Sequence, residues 1–164
     1  MSESKKTVTI GKMRWLLFLL AHIKIPIMGF IRPKLLVMDE ETVQVKIKLR
    51  RRSKNHLKSM YFGALAVGAD VAGGIHAFYF AEKHNKKVSF AFKSMTATFL
   101  KRAETDVLFV CDEGQKIEGI ILESFSISIK CRKHHASDRE NLFCIQYIVR
   151  KRLNYYIQTQ DLGL

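Results

Sequence analysis

The sequence predicts an α+β domain: an antiparallel sheet of about five strands wrapped around a long central helix, with an extra N-terminal helix. Three observations carry this. Residues 60–80, MYFGALAVGADVAGGIHAFYF, are an apolar run without proline, longer than a strand and rich in Ala and Gly, which suits a helix buried on most faces. Segments on both sides of it alternate apolar and polar residues with a period of two, the strand pattern. The chain of 164 residues, 48% hydrophobic and 26% charged, can bury one core and suits one compact domain.

The elements follow in order. Residues 1–12 are polar and read as a flexible N-terminus. Residues 13–38 read as a helical extension, with a helix over 13–25 that ends at Ile25 because Pro26 disfavours helical geometry in the residue before it. Residues 39–164 read as the single main domain. Val43, Val45, Ile47 and Leu49 alternate with Gln44, Lys46 and Lys48, a half-buried strand. Arg50 to Lys58 is a polar, basic loop leading into the long helix, which the Gly73-Gly74 pair is expected to weaken or kink. Beyond it Val88, Phe90 and Phe92 alternate, then the parity shifts to Met95, Ala97 and Phe99, predicting a bulge near Lys93 or Ser94. Asp106 to Val110 is a short buried run. Phe125, Ile127, Ile129 and Cys131 alternate with Ser124, Ser126, Ser128 and Lys130, and Phe143, Ile145, Tyr147 and Val149 alternate again. A further short stretch runs through Tyr156.

Charge and cysteine content narrow the function. The net charge is +13, from 28 Lys and Arg against 15 Asp and Glu. It is concentrated in residues 1–60, where 14 basic and 4 acidic side chains give +10. That excess calls for an anionic partner: nucleic acid, anionic lipid or a phosphorylated small molecule. The three cysteines, Cys111, Cys131 and Cys144, include no C-x-x-C pair, which argues against a disulfide framework or a cysteine zinc site and favours the cytoplasm. Trp15 to Ala21 follows Lys5, Lys6, Lys12 and Arg14 in the manner of a short signal peptide, but His22 and Lys24 come next and no small-x-small cleavage site follows. Seven apolar residues cannot span a bilayer, which needs ~20. Residues 13–31 therefore either pack on the domain or make peripheral contact with a membrane surface.

Asp70 is the only acidic residue between Met60 and Phe80. A carboxylate inside a buried helix must be satisfied by partners or tuned for a task. Asn55, Gly63 and Asp70 stand in the order N-x7-G-x6-D. This order resembles the hotdog-fold thioesterases of the phenylacetic-acid-degradation type, whose signature is Asn-x-x-Gly-x-x-His-Gly-Gly, six residues, then the catalytic Asp or Glu. Asn55 falls on the Asn, Gly63 on the last glycine and Asp70 on the acid, without a gap. Phe99-Leu100-Lys101-Arg102-Ala103 is similar to the family's Phe-Leu-Arg-Pro-Ala segment. The likeness covers about residues 40–150. The chain departs from the signature at three positions: Lys58 replaces the first glycine, Tyr61 the histidine and Phe62 the glycine after it.

The resemblance implies a hotdog fold and hydrolysis of an acyl thioester such as an acyl-CoA. Asp70 would be the general base or the nucleophile. Asn55 would orient water or the carbonyl. The helix N-terminus at Phe62 and Gly63 would bind the oxyanion through backbone N–H groups, with Tyr61 beside it at the substrate. The site would lie at the interface of a homodimer or homotetramer. No metal or other cofactor is implied, since coenzyme A enters with the substrate. Arg50, Arg51, Arg52, Lys54 and Lys58 could hold the coenzyme A phosphates or be a solvated loop. A non-catalytic acyl-CoA- or lipid-binding protein is the alternative. Nucleic-acid binding is disfavoured because aromatic side chains do not interleave the basic cluster. His22, His56, His76, His84, His134 and His135 lack metal-ligand spacing and read as solvated or core residues. No G-x-S-x-G elbow accompanies the serines.

Overall fold

The computed structural model describes residues 7–88, 92, 95, 97–134 and 156–159, with side chains as far as residue 124. Helix α1 spans Ile10–Leu19. Thr9 caps it, its hydroxyl accepting the Lys12 N–H at 3.4 Å, which satisfies one of the free donors of the first turn. The helix widens into a π-helical turn, Leu20–Lys24, and stops at Ile25. Helix α2, Pro26–Ile31, restarts with proline in its first turn, where the missing N–H costs nothing. α2 folds back so closely that a Cβ on Gly29 would collide with the Ala21 carbonyl. Arg32 ends it in the left-handed region, φ 59°.

Strands β1, Lys34–Met38, and β2, Val43–Ile47, form an antiparallel hairpin with Leu35 opposite Val45 and Met38 opposite Val43. Asp39 organises its turn by accepting the N–H groups of Glu41 at 2.9 Å and Thr42 at 2.7 Å. Helix α3, Phe62–Lys83, crosses the sheet before β3, Val107–Cys111, returns beside β2. Helix α4 spans Gly114–His134, and β4, Tyr156–Thr159, pairs with β3. The four strands lie in the order β1-β2-β3-β4, all neighbours antiparallel.

The period-two pattern decides the packing. Val43, Val45 and Ile47 of β2 and Val107, Phe109 and Cys111 of β3 are buried on one sheet face, and α3 lies across these two strands. Gly68 is where the helix meets the Phe109 ring, and a Cβ there would overlap it. Met13 and Leu17 of α1 and Ile117 and Ile121 of α4 complete the same core. The end of α3 is tied down by charge. The buried Lys83 ammonium lies 2.9 Å from Glu40 in the β1–β2 turn and 3.1 Å from Glu118 on α4, and His84 Nε2 is 2.7 Å from the same Glu118 oxygen. α3 is long and apolar enough to cross a bilayer, but 61% of its most apolar window is buried in the protein.

The structure corrects several expectations. The first helix begins at Ile10, and the helical extension ends at Ile31, because Lys34–Met38 joins the sheet as β1. α3 runs unbroken through Gly73 and Gly74, both buried, so their small size serves packing rather than a bend. Phe125–Cys131, expected as a strand, lies within α4. Ile117 and Ile121, four residues apart and both buried, supply the helical stripe that sets that segment's conformation. Val88, Phe92, Met95 and 97–100 carry no regular secondary structure. Phe99 finds cover edge-on against Phe62, ring centroids 5.7 Å apart, without a strand ladder. Phe90, Lys93, Ser94 and the alternation at 143–149 lie outside the described residues.

Candidate active site

The approach to α3 is a loop tied by its own hydrogen bonds. Ser53 is buried, and its hydroxyl donates to the Lys48 carbonyl at 2.8 Å while accepting the Arg50 N–H at 2.9 Å. Asn55 holds the next turn. Its Oδ1 accepts the N–H groups of Leu57 at 2.9 Å and Ser59 at 3.1 Å, and its Nδ2 donates to the Ser59 hydroxyl at 2.9 Å. Lys58 sits inside that turn at φ 63°. This is the left-handed region that glycine favours, at the position where the signature has its glycine. The segment after residue 98 closes over the loop, the Met60 N–H donating to the Ala103 carbonyl at 2.7 Å. The two stretches of sequence that carried the resemblance are thus brought together.

Tyr61 is the N-cap residue of α3 and makes no side-chain capping bond. The backbone N–H groups of Phe62 and Gly63 consequently have no acceptor among the described residues. They point out of the positive end of a 22-residue helix, an arrangement that favours a developing negative charge. The Tyr61 ring lies against Gly63, within reach of where a Cβ would be, and Tyr61 is exposed. Phe62 is also exposed, at 57%, with its ring against Phe99.

Asp70 is exposed, and its carboxylate has no hydrogen bond or ion pair among the described residues. Surrounding protein still removes enough water to raise the pKa of its carboxyl from the ordinary value. Seven residues from Gly63 to Asp70 amount to about two turns and about 10 Å of rise, so the two share one face of α3. Ala66 and Val67 lie between them, both half-buried. The resulting surface is an apolar strip with free N–H groups at one end and an unpaired carboxylate at the other. The basic side chains of the loop do not act as one group. Arg50, Arg51, Lys54 and Lys58 are exposed. Arg52 turns to α2, its Nη1 donating to the Phe30 carbonyl at 3.0 Å and its guanidinium standing 5.6 Å from the centre of the Phe30 ring.

His76 is fully buried against Phe80, ring centroids 5.0 Å apart, and neither ring nitrogen makes a hydrogen bond of good geometry. Sequence reasoning did not single out Phe99 as a neighbour of the site, although it begins the Phe-Leu motif. Nor did it find the groove between α1, α2 and β1, whose walls come from three separate elements.

A single antiparallel sheet with a long helix laid across it is the hotdog architecture. Solved structures agree on the fold. A Pseudomonas aeruginosa protein of unknown function, described as a probable thioesterase, is similar with a TM-score of 0.56 at 20% identity, over 76% of this chain and 79% of that one. A Chlorobaculum tepidum protein of unknown function gives 0.58 at 14%, over 76% and 69%. Zebrafish thioesterase superfamily member 2 gives 0.51 at 13%, over 63% and 74%. The chain belongs to the family described as the domain of unknown function DUF4442, whose model matches residues 13–135. No curated protein matches it.

Proposed function

We propose that the protein hydrolyses an acyl thioester, an acyl-CoA being the simplest substrate. One observation carries this: the unpaired Asp70 carboxylate and the unpaired N–H groups of Phe62 and Gly63 lie on one open face of α3. The N–H groups would receive the thioester oxygen as it becomes an oxyanion. Asp70 would take a proton from the attacking water, or attack the carbonyl itself and form an anhydride that water then opens. Partial burial raises its pKa, which makes it a stronger base than an ordinary surface carboxylate. Asn55 acts by fixing the loop that aims the helix start. Arg50, Arg51, Lys54 and Lys58 supply positive charge for the coenzyme A phosphates, and Tyr61 and Phe62 wall the acyl slot.

The helix geometry requires a second copy of the chain. A reacting carbonyl must lie about 3 Å from both the base and the oxyanion donors, yet within one chain these are about 10 Å apart along α3. In a homodimer with two α3 helices side by side in opposite directions, Asp70 of one copy comes beside Phe62 and Gly63 of the other. The exposed Phe62, Phe99 and Leu100 are the apolar surface such an interface would cover. The free buried thiol Cys111 is compatible with a cytoplasmic setting.

The test is thiol release from a panel of acyl-CoAs by the native protein and by Asp70→Asn. Loss of a positioned base lowers the rate by about 10²–10⁴ while the unfolding midpoint stays unchanged. A well-folded Asp70→Asn protein with native turnover would refute the role. Acyl-CoA binding without turnover in the native protein would select the non-catalytic alternative.

A further inference from the structure

The N-terminal segment carries a second site that Asp70 chemistry does not use. From Ser4 to Met38 the sequence holds seven cations (Lys5, Lys6, Lys12, Arg14, Lys24, Arg32, Lys34) and no acidic residue. Its buried side chains, Met13, Leu17, Ala21, Met28 and Ile31, are part of the core. Leu35 is buried with them, but a set of large apolar side chains is left outside: Trp15 is 60% exposed, Ile23 67%, Ile27 54% and Phe30 58%, with Phe18 also exposed. They are held in place. Trp15 stacks on Phe18 and Phe18 on His22 along one side of α1 and the π-helical turn. The close contact of Gly29 with the Ala21 carbonyl locks α2 against that turn. Beside this stripe a groove of about 520 Å³ opens between α1, α2 and β1, with apolar walls that include Leu17, Phe18 and Met28, and with Arg14, Arg32 and Lys34 around it. Arg14 is fixed there, donating to the carbonyls of Leu35 at 3.1 Å and Leu36 at 3.3 Å. Lys24, Arg32 and Lys34 have no ion pair among the described residues.

We propose that this face docks the protein on an anionic phospholipid bilayer, with Trp15, Phe18, Ile27 and Phe30 entering the headgroup boundary and Lys24, Arg32 and Lys34 facing lipid phosphates. Charge decides the occupant. A set of exposed aromatic and branched side chains on a segment whose own charges are all positive has the composition of an interfacial segment. A second copy fits poorly, because a two-fold contact through this face sets each copy's cations against the same cations of the other. Arg52, bound to the Phe30 carbonyl and set over its ring, adds its own charge to the same face.

Trp15 is the only tryptophan of the chain and reports insertion directly. Its emission is measured with the full protein and vesicles of phosphatidylcholine alone or of phosphatidylcholine with phosphatidylglycerol, alongside co-sedimentation. The expected result is a blue shift and sedimentation with the anionic vesicles only, reversed in large part by raised ionic strength. Phe18→Ser with Ile27→Ser weakens partitioning about tenfold or more, and Arg32→Glu with Lys34→Glu does the same, both without loss of folded structure. Equal binding to neutral vesicles, or no blue shift with anionic ones, overturns the proposal. So does a drop in oligomeric state caused by Phe18→Ser and Ile27→Ser in the absence of lipid, since the face would then belong to a second copy. None of these side chains belongs to the Asp70 site, so thioesterase activity and membrane docking fail or succeed separately.

Discussion

The contact between Gly68 and Phe109 sets the distance between α3 and the sheet, and a double substitution measures it. Gly68→Ala places a methyl group inside the volume of the Phe109 ring. The ring cannot retreat, since Phe109 is 1% exposed and sits in β3 between β2 and β4. Overpacking of this kind costs about 1–3 kcal/mol, and three ring carbons close to one Cβ put this case toward the upper end. Against that, alanine is better than glycine inside a helix by about 1 kcal/mol. The net expectation is a loss of about 1–2 kcal/mol, seen as a midpoint lower by about 2–8 °C for a chain of this size. In a Phe109→Leu background the ring is gone, the propensity gain remains, and Gly68→Ala should stabilise by about 1 kcal/mol. The two effects of one methyl group thus differ in sign, a coupling of about 2–3 kcal/mol. Urea unfolding of the four proteins, followed by Trp15 fluorescence and far-ultraviolet circular dichroism, reads it out. If Gly68→Ala has the same effect in both backgrounds, the close approach of helix and sheet at this point is wrong.

Three further outcomes follow from named groups. Burial lowers the pKa of His76, and the nearby main chain of Asp39 and Glu40 offsets only part of this. The unfolded chain then binds more protons, so stability falls as pH drops from about 6.5 toward the folded value, and His76→Leu should flatten that segment of a stability-versus-pH curve. Burial works to raise Asp106, but the Leu49 N–H at 2.9 Å and the Lys46 ammonium at 3.0 Å overcome it and hold the carboxyl low. Its contribution is present above about pH 4 and lost as pH falls through the folded value. Asp106→Asn, which keeps an acceptor for Leu49, should remove that acid limb in denaturant titrations at successive pH values. Asn55→Ala deletes the acceptor for two backbone N–H groups and should cost about 2 kcal/mol, whereas Asn55→Asp, which keeps that acceptor, should recover most of the loss in the same unfolding assay.

What the sequence showed depended on whether the signal was local. β2, β3 and the start of α3 were legible because alternation and a long apolar run are properties of neighbouring residues. The break at Pro26 was legible because the constraint acts on the adjacent residue. β1 was hidden because Leu35-Leu36-Val37-Met38 is uniformly apolar. Only pairing with β2 decides that Leu35 is buried while Leu36 and Val37 stay exposed. The serine alternation at 124–128 fits a strand by itself, and the buried pair Ile117 and Ile121 upstream belongs to a different period, so two local patterns competed and the helical one prevailed. At the candidate site, residue order singled out Asn55, Gly63 and Asp70, and Lys58 adopts the positive φ of the signature's glycine position. Residue order could not show that Asn55 is engaged in a turn, or that Arg52 belongs to α2.

The most informative departure concerns Asp70. An apolar run with one acid in it suggested a carboxylate sealed in a core, yet Asp70 is exposed and α3 is covered by the sheet on only one side. Hydrophobicity records that a face wants cover without saying which chain provides it. Along α3 the residues toward the sheet, Ala64, Leu65, Ala69 and Ala72, are buried, while Phe62, Ala66 and Asp70, spaced four apart, form a second strip that this chain leaves at least partly open. A helix that is apolar all round and keeps one strip partly open calls for a second surface at that strip. The same open strip holds the two halves of the proposed catalytic machinery about 10 Å apart, a separation that an antiparallel partner helix would close. In the proposed mechanism the open strip and the divided machinery are one problem, and a homodimer through α3 would resolve both: it would cover Phe62 and Ala66 and bring Asp70 to the helix start of the other copy.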